Sequence, residues 1–96
     1  MVEEVEVKVV YFASAREAVG SEGEAVRLEA EGHGEDGEPY VTTDVLVKVL
    51  LERHPKLRAI FNTIVLAVNM DYADKGQSVR LKGRDEVALI PPIGGG

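Results

Sequence analysis

One helical stripe stands among segments that alternate like strands, and this restricts a 96-residue chain more than any other feature of it. Within residues 42–54, Val45, Leu46, Val49, Leu50 and Arg53 recur at i, i+1, i+4, i+5 and i+8. The apolar members form a stripe suited to packing on a sheet. Thr43 is placed to cap this helix, Asp44 favours its first turn and Pro55 stops it. Residues 5–12 instead alternate with a period of two and are rich in β-branched side chains. Val5, Val7, Val9 and Tyr11 share the core face. Glu6, Lys8, Val10 and Phe12 share the other, which begins charged and ends apolar.

Residues 24–30 alternate too, with Val26, Leu28 and Ala30 on the apolar face. Residues 63–69 are almost continuously apolar, as in a strand buried on both faces. Residues 86–90 read as the last strand, with Val87 and Leu89 opposed to Ala88 and Ile90. A short helix over 13–19, with Ser14 as its cap and Gly20 as its stop, follows the first strand. A turn at 69–71 and a short pairing segment at 72–73 follow the apolar run. One amphipathic helix on one mixed sheet makes an α+β domain over residues 1–90. Residues 31–39 hold three glycines, four acids and a proline, and read as a flexible acidic loop. His54 reads as a helix-end residue, and His33 sits in the acidic loop without an evident partner.

Composition removes whole classes of function. The net charge is -6, so the chain attracts no phosphate backbone and nucleic-acid binding is not expected. It has no cysteine, which excludes disulfides, thiolate metal sites and a thiol nucleophile together. No metal site is expected, since Glu31, Glu35, Asp36 and Glu38 lack the spacing of a calcium loop. No apolar run suits a membrane span, and the acidic N-terminus is unlike a signal peptide, so a cytoplasmic protein is expected. Charge is divided unevenly. Residues 1–48 carry 4 basic and 12 acidic side chains, residues 49–96 carry 7 and 5. The chain shows no paired-carboxylate or nucleophile–base arrangement, so a stand-alone enzyme is not expected.

The tail, Pro91-Pro92-Ile93-Gly94-Gly95-Gly96, fits no regular element. The prolines favour a stiff exit from the last strand, and six extended residues reach roughly 20 Å. A terminal carboxylate is ionised and a poor electrophile at neutral pH. Converted to an acyl adenylate by an ATP-using partner, it becomes reactive. Gly96 puts no side chain in the way of attack at that carbonyl. Gly94 and Gly95 are slender enough to thread a narrow channel.

The run of residues 9–13, then Arg16-Glu17, Glu52-Arg53-His54-Pro55, Ala67-Val68-Asn69 and the block from Gly83 to Ile93 with its glycines resembles the small subunit of molybdopterin synthase. That family belongs to the ubiquitin-like, β-grasp sulfur carriers. The resemblance implies that Gly96 is adenylated by a ubiquitin-activating-type adenylyltransferase/sulfurtransferase, which uses ATP, and is then made a thiocarboxylate. It implies that the tail, with Pro91 and Pro92 at its base, inserts into the synthase large subunit and donates sulfur to a cyclic pyranopterin precursor. No cofactor is implied on this chain, which acts as a non-catalytic carrier. An apolar sheet patch docks both partners in that family, and the matching positions are Phe12, Tyr72 and Ile90. The family usually ends in two glycines; this chain has three. A related carrier for thiamine or transfer-RNA thiolation, a protein modifier, and a plain interaction domain with an inert tail remain as alternatives.

Overall fold

Val5, Val7, Val9 and Tyr11 are all buried, as their alternation requires, and they set the core face of the first strand. The computed structural model describes residues 2–74 and 76–92. Its strands are β1 (Glu4–Tyr11), β2 (Gly23–Glu29), β3 (Gly32–His33), β4 (Pro39–Thr42), β5 (Val65–Val68), β6 (Asp71–Ala73), β7 (Arg80–Leu81) and β8 (Glu86–Ile90). Its helices are α1 (Ala13–Val19) and α2 (Thr43–Arg53), and two 3-10 turns, Pro55–Ala59 and Phe61–Thr63, lead from α2 into β5.

Five strands form the main sheet in the order β2-β1-β8-β5-β6. β1 runs antiparallel to β2 and parallel to β8, so the first and last strands lie side by side near the middle. One helix covers one face of this sheet. Leu46 and Leu50 of α2 meet Val7, Val9, Val26, Val87 and Leu89 in a single core, closed at its margins by Leu57, Val41 and Leu81.

The caps differ from the sequence reading by one residue or more. Thr42, not Thr43, caps α2, its hydroxyl accepting from the Val45 N–H. Both threonines can cap, but β4 keeps the backbone extended through Thr42, so the helix starts after it. Thr43 is buried instead. Its N–H donates to the Val79 carbonyl at 2.9 Å, and its Oγ1 accepts from the Val79 N–H at 3.1 Å. Ser14 does not cap α1; Phe12 occupies that position and no side chain caps the helix. Gly20 ends α1 in the left-handed region at φ 82°, as expected. Gly23 admits no side chain, because a Cβ there would lie 2.7 Å from the Val9 carbonyl oxygen.

The acidic segment is folded more than its composition suggests. β3 and β4 form a hairpin within residues 31–39 and beyond, and β7 adds a third strand to make a small second sheet. Val41 and Leu81 of this sheet are buried in the core, and polar contacts tie down its exposed side. Lys82 Nζ donates to Asp36 Oδ2 at 2.6 Å, the Glu31 carboxylate accepts from Thr42 Oγ1 at 2.9 Å, and Arg80 lies 4.1 Å over the Tyr40 ring. His33 has a partner after all, Glu3 at 2.7 Å. The long separation of β7 from β4 along the chain hid this sheet from local patterning. β5 differs as well. It is not buried on both faces, since Val65 is 44% exposed.

Leu50 sits at the centre of the helix stripe and is 1% exposed. Leu50→Ala is expected to cost about 2–5 kcal/mol of unfolding free energy, read from chemical denaturation curves.

Candidate functional site

Among the described residues no helix covers the face of the main sheet turned away from α2, and its register brings the apolar outward-facing residues together. Val10 pairs with Ala88, Ala88 with Ala67, and Ala67 with Tyr72. These four make one row across β1, β8, β5 and β6. Ile90 pairs with Val65 in the next row, and the Phe12 N–H donates to the Leu89 carbonyl beside it. Phe12 is 42% exposed and Tyr72 74%. Ala67 and Ala88 at the centre are small and shaded by their neighbours. The result is an apolar patch with a low middle and aromatic flanks, the kind of exposed surface that marks an interaction site.

The same face is charged at the other end of β1. There Arg27 Nε donates to Glu6 Oε1 at 2.9 Å, and Lys8 lies 3.8 Å from Glu86. These exposed pairs add little stability, but they keep that end wet. The chain leaves the sheet at the apolar end. β8 stops at Ile90, Pro91 is buried and Pro92 is exposed. Proline has no N–H to extend the ladder, so the strand ends there.

The end of β1 that carries Phe12 is clamped from behind. Tyr11 is buried, and its hydroxyl donates to Glu24 Oε2 at 2.6 Å. His54 Nε2 lies 2.7 Å from the same oxygen, and its ring stands edge-on to the Tyr11 ring at 5.9 Å. An ionised carboxylate can only accept, so His54 carries its proton on Nε2. Arg53 approaches Glu24 Oε1 at 3.5 Å. His54 is thus a helix-end residue, as its sequence position suggests, and it ties α2 to β2 and β1. Burial pushes the Glu24 carboxyl up, but hydrogen bonds from Tyr11 and His54 and the nearby charges of His54 and Arg53 outweigh it, and hold it below the usual carboxylate value. Burial pushes the Tyr11 hydroxyl well above its ordinary value, and the Glu24 hydrogen bond and charge push it further.

Of the residues singled out from sequence, the structure brings Phe12, Tyr72 and Ile90 onto this one face. Pro91 and Pro92 stand at the base of the tail beside it. Gly94, Gly95 and Gly96 lie outside the described residues. Val65, Ala67 and Ala88 complete the patch and were not singled out. The unbroken apolar run of β5 concealed which of its residues face outward. On the opposite side of the sheet, a cleft of about 420 Å³ opens between α2 and β5, lined by Val47, Phe61, Ile64 and Leu66 with Asp44 and Asp74. Its described lining carries no histidine or lysine. Nor does any cluster of three or more metal-ligating side chains occur among the described residues.

The strand order and the single long helix define the molecule as a ubiquitin-like β-grasp protein. The ThiS family model matches residues 9–96, and the chain belongs to that family. It is 35% identical over 92 residues to the molybdopterin synthase sulfur carrier subunit of Chlamydomonas reinhardtii, covering 96% of this chain and all of the relative. It is 35% identical over 97 residues to the protein of that name from Homo sapiens, covering both chains fully. The solved structure of a putative molybdopterin converting factor, subunit 1, from Pyrococcus furiosus superposes with a TM-score of 0.67 at 27% identity, covering 93% of this chain and 99% of that one. No helix among the described residues is long and apolar enough to cross a membrane.

The clamp makes a pH prediction. The Glu24 carboxyl binds its proton less readily when folded than when unfolded, so its contribution is complete above the ordinary value of 4.5 and is lost as pH falls through the lower folded value. Thermal midpoints measured from neutral pH down to about pH 3 are expected to fall at the acid end. Glu24→Gln is expected to lower the neutral midpoint and flatten that fall.

Proposed function

We propose that this chain is a sulfur carrier that serves molybdopterin synthesis in the cytoplasm. The ionised carboxylate of Gly96 attacks the α-phosphorus of ATP on an activating enzyme, and pyrophosphate leaves. Sulfide-level sulfur delivered on that enzyme attacks the acyl carbon, the acyl–phosphate bond breaks and AMP leaves, and the product is a thiocarboxylate. The loaded tail enters the synthase large subunit and gives its sulfur to a cyclic pyranopterin precursor. ATP belongs to the activating enzyme and no cofactor to this chain. The catalytic side chains belong to the partners as well.

The observation that carries this reading is the place where the chain leaves the sheet. Pro91 and Pro92 depart β8 at the apolar end of the open face, beside Ile90 and Val65. A partner seated on Phe12, Tyr72 and Ile90 therefore lies beside the point where the tail begins, and six residues fully extended would span roughly 20 Å. Full-length similarity to proteins named as sulfur carrier subunits supports the choice of pathway. The Gly94-Gly95-Gly96 run supplies an unhindered acyl carbon and a slender shaft.

Two experiments test this. Intact mass is measured after incubation with ATP, the activating enzyme and a sulfur donor. A gain equal to one oxygen exchanged for sulfur is expected, and deletion of Gly96 is expected to abolish it with an unchanged melting curve. No gain, with an activating enzyme that loads its own carrier, would remove the proposal. The second measures affinity for the large subunit. Phe12→Asp is expected to keep the fold and to weaken binding by at least tenfold, since it buries an unpaired charge in the contact. Wild-type affinity in that variant would show that the patch is not the docking surface.

A further inference from the structure

The β5–β6 hairpin turns in two residues. Val68 pairs with Asp71, and Asn69 and Met70 between them have φ of 49° and 73°. Positive φ at both positions is the requirement of a type I′ turn, whose favoured pair is Asn-Gly. Asn69 suits its place. It tolerates the left-handed region, its N–H donates to the Glu86 carbonyl at 2.8 Å, and its side-chain oxygen accepts from the Glu86 N–H at 2.9 Å. Its amide also donates to Asp85 Oδ1 at 3.1 Å.

Met70 has no such account. It stands where glycine avoids a steric cost, and its side chain is 88% exposed, so burial within the chain does not offset that cost. Ala13 and Arg84 also have positive φ. Ala13 makes the bend from β1 into α1 with the smallest side chain. Arg84 closes the turn before β8, its N–H donating to the Glu6 carbonyl at 2.8 Å. Among the described residues, Met70 alone presents a large apolar side chain to solvent from a left-handed position. Strain kept without an internal reason points to function. Two residues on, Tyr72 belongs to the open apolar face. The hairpin tip lies level with the charged Lys8–Glu86 pair, so Met70 is the apolar exception at that end of the sheet.

We propose that Met70 is a partner-contact residue that carries the docking footprint past Tyr72 to the hairpin tip, where it fits an apolar recess on the synthase large subunit. The proposal rests on the docking reading above. A methionine suits a shared face, because its unbranched thioether side chain adapts to the different surfaces of an activating enzyme and a synthase. The turn accepts lower local stability so that this side chain projects.

The test is a titration of the purified large subunit with wild-type protein and with Met70→Gly, Met70→Asn and Met70→Leu, alongside thermal midpoints of each. Glycine and asparagine relieve the turn and remove the apolar contact. Both variants are expected to melt a few degrees higher than wild type and to bind roughly tenfold more weakly. Leucine keeps the apolar bulk, and its affinity is expected to stay near that of wild type. Wild-type affinity in the glycine and asparagine variants overturns the inference, and so does a fall in their melting points, which would give Met70 an internal structural role. If they bind normally while Phe12→Asp does not, the docking reading stands and Met70 lies outside it. If the wild-type protein does not bind the large subunit at all, both fall together.

Discussion

A single helix can cover only one face of a five-stranded sheet, and the rest of this structure follows from that limit. Leu46 and Leu50 close the core over β1, β2 and β8, and among the described residues no second layer covers the other side. That other side has to be soluble or has to have a partner. Both solutions occur on it. The Glu6–Arg27 and Lys8–Glu86 pairs keep one end in water, and Phe12, Ile90, Val65 and Tyr72 make the other end apolar.

Strand order turns this divided face into a working surface. Because β1 and β8 are parallel neighbours, the end of the first strand and the end of the last lie together. Phe12 is at one, and the departure of the tail is at the other. The exposed apolar patch and the point where the chain leaves the sheet are thereby adjacent, with no loop between them. The clamp of Tyr11, Glu24 and His54 holds the same end from the core side. It fixes the backbone that presents Phe12 while leaving the outer face free.

A carrier of this design needs little chemistry of its own. In the proposed reading the reacting atom belongs to the main chain, and the steps that activate and discharge it belong to partners. What the domain supplies is position. It presents an exposed apolar face beside the point where the chain leaves the sheet. The contact role proposed for Met70 belongs to the same division of labour.

Local pattern in the sequence settled much of this. Period-two alternation assigned both faces of β1 and β8, so Phe12 and Ile90 were placed outward before any tertiary contact was known. The helical stripe assigned α2, and Pro91-Pro92 and the glycines marked the tail. Those features depend on neighbours a few residues apart, which sequence displays directly. The family resemblance names Tyr72 for the patch, but only the tertiary structure sets its register beside Ala67 and brings in Val65, because the register of β5 between β8 and β6 is a long-range property. The small sheet of β3, β4 and β7 was hidden for the same reason. Its Val41 and Leu81 pair across the ladder and are buried in the core, and Lys82–Asp36 and Arg80–Tyr40 contacts join segments some forty residues apart, which no local composition reveals. Sequence determined which side chains point away from the core, and tertiary pairing determined which of them meet.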